Sequence, residues 1–235
     1  QLSHKKVNCP IPMTEDRLIE CFHNVDRLED EYHDPRAFRF NLNALLSSIN
    51  SVSIIAQKEI EKKGDVVRWN NARKPFKDDP WLGAVRGARN VTLHQKAIFD
   101  GSKIEMGLYR GRRLKLAFSQ EIKGDVHSSV ILKYWNDSEL GRMFLDPGHS
   151  ALNEQYGVWR KYWIDEVSKT EDVLLAIRRA LIRAHDLVAI AHGIYKVKVE
   201  HIPDDYYLSP EGLARVSVLL ESDVDPTLPK KWGWE

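Results

Sequence analysis

From residue 13 to about residue 32, the apolar residues Leu18, Ile19, Phe22, Val25 and Leu28 recur at three- and four-residue steps. That period predicts an amphipathic helix. Thr14 stands at the cap, and Glu15 and Asp16 place negative charge in the first turn. Asp34-Pro35 then opens a longer helix carrying Phe38, Leu42, Leu45, Leu46, Ile49, Val52, Ile55 and Ile60, with Gly64 to end it. Between residues 65 and 79 the period dissolves, and Arg68, Arg73, Lys74 and Lys77 punctuate a basic, aromatic loop or short irregular helix. Asp79-Pro80 starts a third helix with Trp81, Leu82, Val85, Leu93, Ala97 and Ile98 on its buried stripe, stopped by Asp100-Gly101.

The texture then changes. The stretches 104–109, 114–118 and 130–135 are rich in β-branched or aromatic residues and bounded by Gly, Asp or Asn, which predicts strands or hairpins. A turn is expected at 146–150, followed by an aromatic segment with Tyr156, Trp159, Tyr162 and Trp163. Another helix should run from Thr170 to Gly193, with Glu171 and Asp172 in its first turn. Alternation through residues 195–201 reads as a strand. The expected fold is mainly α: an N-terminal helical bundle over residues 1–100, then an α+β extension over 101–235 with a small β element.

Composition narrows the function classes. Thirty-five Lys and Arg against 34 Asp and Glu leave a net charge of +1, so a nucleic-acid surface has to come from local clustering. Cys9 and Cys21 form no CxxC pair and no ligand array, so the reading holds no disulfide scaffold, no cysteine-based zinc site, no metal and no cofactor, and places the chain in the cytoplasm. The longest apolar runs are far too short to span a bilayer, so no membrane partner is expected. Phosphate loops of the GxxxxGK[ST] type, GxGxxG, HExxH and GxSxG are all missing from the sequence, which disfavours kinases, Rossmann oxidoreductases and serine hydrolases.

The densest chemistry lies in Arg86-Gly87-Ala88-Arg89-Asn90-Val91-Thr92-Leu93-His94. At about 100° per residue, Arg86, Asn90 and His94 share a helical face, with Arg89 at its flank. A guanidinium can hold a phosphate and an imidazole can trade a proton near neutrality, which together suit RNA backbone cleavage. The plain alternative is a solvated helix face with a packed histidine.

Arg89-Asn90-Val91-Thr92-Leu93-His94 resembles the Arg, polar residue, three residues, His motif of the HEPN superfamily of helical ribonucleases. The resemblance covers residues 13 to 100 and implies a four- or five-helix bundle. It implies a catalytic arginine at Arg89, a catalytic histidine at His94 and an orienting polar residue at Asn90. Arg86 joins them from helix geometry, and Arg68, Arg73 and Lys74 are candidate substrate-binding cations. The implied activity is metal-independent endoribonuclease cleavage by attack of the ribose 2′-hydroxyl on the adjacent phosphate. The implied partners are RNA, a second copy in a homodimer with facing motifs, and an antitoxin or regulatory protein, in a toxin or antiphage defence role. Some toxin relatives carry Tyr two residues after the histidine, where this chain has Lys96. The alternative function is a non-catalytic RNA- or nucleotide-binding or scaffold protein.

Other clusters offer less. His185 and His192 lie two turns apart, roughly 10 Å, too far to share one ion. Arg178, Arg179 and Arg183 could form a second basic face, or a solvated stripe against Glu171 and Asp172. Arg110, Arg112, Arg113 and Lys115 beside Tyr109 and Phe118 suit single-stranded nucleic acid or an ordinary hairpin. Trp159, Tyr162 and Trp163 are expected to pack a core, and Asp204-Asp205 to form a turn or cap.

Overall fold

A computed structural model describes residues 9–94, 101–118, 125–139, 141, 153–165, 167–168, 170–198 and 209–234. The first helix, α1 (Pro12–Asp30), buries Leu18, Cys21, Val25 and Leu28. It starts two residues before Thr14, so Thr14 is not its cap. The carboxylate of Glu59, on the next helix, instead accepts from the backbone N–H groups of Met13 and Thr14 at 3.0 and 2.9 Å and from the Thr14 hydroxyl at 2.7 Å. A tertiary contact thus satisfies the orphan donors that a local side chain was expected to meet.

The second helix, α2 (Pro35–Glu61), is capped by Asp34, whose side chain accepts from Arg36 and Ala37 N–H, with Pro35 in the first turn. Gly64, at a φ of +79°, takes the left-handed conformation that ends it. The basic stretch is a short helix, α3 (Val66–Ala72), and a 3₁₀ turn (Lys74–Phe76), pinned by buried Trp69 and Phe76. Helix α4 (Pro80–His94) follows, and the expected continuation over 95–100 lies outside the described residues.

The two hairpin strands form as expected: β1 (Gly101–Arg110) and β2 (Arg113–Phe118) pair antiparallel. Gly111, at a φ of +56°, takes the first central position of their two-residue turn, where a type II′ turn requires positive φ. The expected strand at 130–135 is instead a helix, α5 (Ser128–Asp137), whose first turn is capped by the His127 ring. Its Ile131, Leu132 and Trp135 fall on one helical face and pack against Ile104, Met106, Tyr156 and Val158. A short apolar run has no period of its own long enough to separate the two states, and the packing decides.

The aromatic segment is a strand, β3 (Glu154–Trp163), central in an antiparallel sheet of order β2-β1-β3-β4. Helix α6 (Val173–Ile194) carries the largest buried face of the described residues. The tail at 195–198 is turn and irregular chain rather than strand, with Lys196 at a φ of +60° closing α6, and 199–201 lies outside the described residues, as do 146–150 and 204–205. Helix α7 (Pro210–Ser217), strand β4 (Val218–Leu220) and the single turns α8 (Glu221–Val224) and α9 (Leu228–Lys231) complete the chain.

The main core unites α1, α2, α4 and α6 with Trp69, Phe76, Tyr162 and Ile164. The protein is therefore mainly helical, with a small four-stranded antiparallel sheet in its C-terminal half. Among the described residues no helix is long and apolar enough to cross a membrane.

One face of β3 joins the two parts. Tyr156 and Val158 face α5, Tyr162 stacks on Phe38 of α2 with ring centroids 4.3 Å apart, and Arg160 lies between them, fully buried. Arg160 Nε donates to Ser128 Oγ at 3.0 Å, and its other nitrogens reach the Val126 carbonyl and the Tyr162 hydroxyl. The Tyr32 hydroxyl donates to Asp172, which also caps α6 at Leu174 N–H. Burial raises the pKa of Asp172 and pushes that of Tyr32 well up.

Candidate functional site

A cavity of about 780 Å³ opens between α2, the α3–3₁₀ segment, α4 and α6. Its floor is apolar, with Ile49, Val52, Phe76 and Leu187 all buried. Its wall carries Arg73, Lys74, Lys77, Arg86 and Arg89, and among the described residues no Asp or Glu lines it. Among the described residues none of these five cations forms an ion pair. Arg73 Nη1 donates to Gln57 Oε1 at 2.9 Å and its guanidinium sits 5.7 Å from the Trp69 ring centre. Arg89 Nε is buried with no hydrogen-bond partner among the described residues.

Each wall is positioned for a physical reason. The Asp79 carboxylate caps α4 by accepting from Trp81 and Leu82 N–H at 3.1 and 3.0 Å, and its other oxygen accepts from Arg183 Nε on α6 at 2.7 Å. Burial works against its ionised form, but the Arg183 guanidinium and the two N–H groups prevail and hold its pKa below the usual carboxylate range. Arg183 also lies 4.7 Å from the Phe76 ring centre, so one arginine ties the 3₁₀ turn, α4 and α6 together. Asn50 Nδ2 donates to Leu46 O at 3.1 Å and reaches Val85 O at 3.5 Å, linking α2 to α4.

Of the residues singled out in the sequence, Arg73, Lys74, Arg86, Arg89 and Asn90 converge on this cavity. Arg68 does not: its guanidinium donates to Asp65 Oδ1 at 3.2 Å and to the Ile194 carbonyl at 2.6 Å, fastening α3 to the end of α6. His94 is the last residue of α4, one turn beyond Asn90, and its side chain lies outside the described residues. Sequence reasoning passed over Lys77 as a site residue and missed Ser47, Asn50, Ser51 and Ser53 of α2 altogether. Ser47, Asn50 and Ser51 form a polar stripe at three- and four-residue steps beside the apolar one, and that stripe was the available signal.

The competing basic clusters are paired on α6 and half paired on the hairpin, where Arg113 and Lys115 stay exposed. Arg178 pairs with Glu29, Arg179 with Glu171 at 2.5 Å, and Arg183 with Asp79 and Asp186, so the basic face of α6 is a paired one. On the hairpin, Arg110 pairs with Glu154 at 2.8 Å and Arg112 Nη2 donates to both carboxylate oxygens of Asp223 at 2.9 and 3.0 Å. Of the three aromatics expected to pack a core, Tyr162 is buried, whereas Trp159 and Trp163 are half-buried.

A family model described as Bacteriophage lambda protein ea47 matches residues 3–105, less than half of the chain. Protein ea47 of Escherichia phage lambda is 32% identical over 83 residues, 34% of this chain. The match spans only 20% of that relative's length. No solved structure matches the chain. The family match includes the segment that carries Arg89 to His94, and both sequence matches point to ea47-like phage proteins rather than to the HEPN superfamily. The HEPN resemblance is thereby corrected: an Arg and a His five residues apart arise readily on any polar helix face. The paired two-fold cleft and the toxin role followed only from that resemblance.

Proposed function

We propose that this protein binds RNA, holding its phosphates in the cavity between α2 and α4. The observation that carries this reading is the set of five cations that, among the described residues, have no ion pair and no lining carboxylate, one of them with a buried Nε that has no partner there. A covered guanidinium nitrogen without an acceptor is costly, and a phosphate beside Arg89 would supply both the acceptor and a charge for the neighbouring cations. The volume suits a nucleotide-sized group, and the apolar floor offers a surface for a base. Arg86, Lys74, Lys77 and Asn90 are exposed at the rim, so a chain entering the cavity meets further cations on leaving it. The cytoplasm is the compartment where such a ligand is abundant and where Cys9 and Cys21, both free thiols, stay reduced.

The test is titration of labelled single-stranded RNA at several salt concentrations. Affinity should fall with salt, each neutralised phosphate contributing a slope of about −0.7. Arg89→Ala and Lys74→Ala should each lower affinity by about tenfold and flatten the slope by roughly one contact. Wild-type affinity in both variants would overturn the reading, and tight binding of inorganic phosphate or a mononucleotide with no gain for RNA would make it a small-molecule site.

Metal-independent cleavage is a second reading, favoured by Asn90 in the cavity wall and His94 one turn further along α4. Wild type should then cut RNA in EDTA to leave cyclic or 3′-phosphate ends, and His94→Ala should not. RNA left whole by wild type would sink cleavage while leaving binding untouched.

A further inference from the structure

Three side chains remote from the basic cavity meet where α1 begins and α6 ends. Cys9 Sγ lies 3.3 Å from His192 Nε2 across 183 residues of sequence. Glu15 Oε2, in the first turn of α1, lies 3.5 Å from the same nitrogen. All three potential ligand atoms fall within 4.8 Å of one another. We propose that Cys9, Glu15 and His192 form a binding site for a zinc-class divalent metal ion.

The geometry is that of a ligand shell. Zinc takes thiolate sulfur at about 2.3 Å and imidazole nitrogen or carboxylate oxygen at about 2.0–2.2 Å, and tetrahedral angles then put neighbouring ligand atoms about 3.3–3.6 Å apart. The two separations at Nε2, 3.3 and 3.5 Å, already match, and the third edge, between Cys9 and Glu15, is at most 4.8 Å. The histidine is oriented for the task. His192 Nδ1 lies 3.0 Å from the Val188 carbonyl, an acceptor only, so Nδ1 carries a proton, and the neutral ring then presents its Nε2 lone pair to Cys9 and Glu15. A ligating imidazole commonly donates its other N–H to a backbone carbonyl in this way. The ring is 4% exposed, which fixes it against α6, whereas Glu15 at 21% and half-buried Cys9 leave a path for an ion to enter.

Sulfur, nitrogen and oxygen together select zinc or cobalt over magnesium or calcium, which prefer all-oxygen shells. Three protein ligands leave the fourth position for water or a small anion. Binding releases the thiol proton to solvent and forms metal–sulfur, metal–nitrogen and metal–oxygen bonds with no change of oxidation state. The ion would clip the segment before α1 to the C-terminal turn of α6, joining the two ends of the bundle.

The full chain, stripped with chelator and reduced, is titrated with Co²⁺ alone and then with Zn²⁺. Wild type should bind one equivalent with a thiolate-to-cobalt charge-transfer band in the near ultraviolet and tetrahedral bands in the visible, both erased by zinc. Cys9→Ser should abolish the charge-transfer band, and Glu15→Gln should weaken zinc binding by about tenfold or more. Both residues sit at the rim of the core, so circular dichroism in chelator should show both variants folded; His192→Gln is added as a third variant. The proposal is overturned if wild type shows no thiolate band, or if Cys9→Ser binds cobalt with the wild-type spectrum and stoichiometry.

Discussion

Asp79 shows how one carboxylate can hold a site together without touching its ligand. It caps α4 and grips Arg183 of α6, so the wall bearing Arg86 and Arg89 has its angle set there. Replacing Asp79 by Ala should cost about 2 kcal/mol in urea unfolding, a cap of about 1 kcal/mol plus a partly screened ion pair. It should also weaken RNA binding although it removes no cation. His33 makes a second prediction. It is half-buried, with Nε2 fully covered, and burial followed by the Arg160 charge pushes its pKa down from 6.5 to about 3. A base whose folded pKa is depressed favours the fold while neutral. Stability is therefore full above the unfolded pKa and is lost as pH falls from about 6.5 towards about 3. Between about pH 7 and about pH 5 the loss should reach up to about 2 kcal/mol, and His33→Gln should remove that part of the slope in urea titrations.

Among the elements, the sheet is held by close backbone approach as well as by pairing. Gly107 and Gly157 face each other across β1 and β3. A Cβ on Gly107 would lie 2.8 Å from the Leu116 carbonyl oxygen, a backbone atom that cannot step aside. A Cβ on Gly157 would meet only side-chain atoms, of Leu220 and Tyr109, at 2.8 Å. Gly107→Ala should therefore lower stability by about 1–3 kcal/mol and by more than Gly157→Ala, read by thermal melting monitored at the hairpin's neighbours Trp135 and Trp159. The helices α1, α2 and α6 were legible because each runs long enough for several turns of apolar period, although α6 starts at Val173 with Asp172 as its cap rather than at Thr170. Residues 130–135 were not legible, because only the hydrophobic face of β1 and β3 tells this short run to coil as α5. The cap of α1 was hidden for a similar reason: its acceptor, Glu59, lies 45 residues away.

At the scale of the whole molecule, β3 is the shared beam. Arg160, Tyr162, Tyr32 and Asp172 form a buried polar network that binds the helical bundle to the sheet. Removing one member leaves buried donors unmet, so Arg160→Ala should destabilise by about 3 kcal/mol or more, with the Phe38–Tyr162 stack disturbed in near-ultraviolet dichroism. Because the network spans both parts, far-ultraviolet dichroism and tryptophan fluorescence should report one coincident unfolding transition in wild type, and two separated transitions would contradict that coupling.

The sequence by itself determined the helical period, the strands at 104–109 and 114–118, the helix starts at Asp34-Pro35 and Asp79-Pro80 and the presence of unusual basic density at 68–89. Those features depend on neighbours within a turn or two, where spacing and side-chain chemistry act directly. Only the tertiary structure decided which cations are free. The arginines of α6 and Arg110 and Arg112 of the hairpin look as available in sequence as Arg86 and Arg89, yet Glu29, Glu171, Asp79, Glu154 and Asp223 meet them in space. The same holds for Cys9, Glu15 and His192, which no spacing rule would group. Charge pairing and ligand geometry fall off over a few ångströms, and the chain brings residues to that distance only when its core closes.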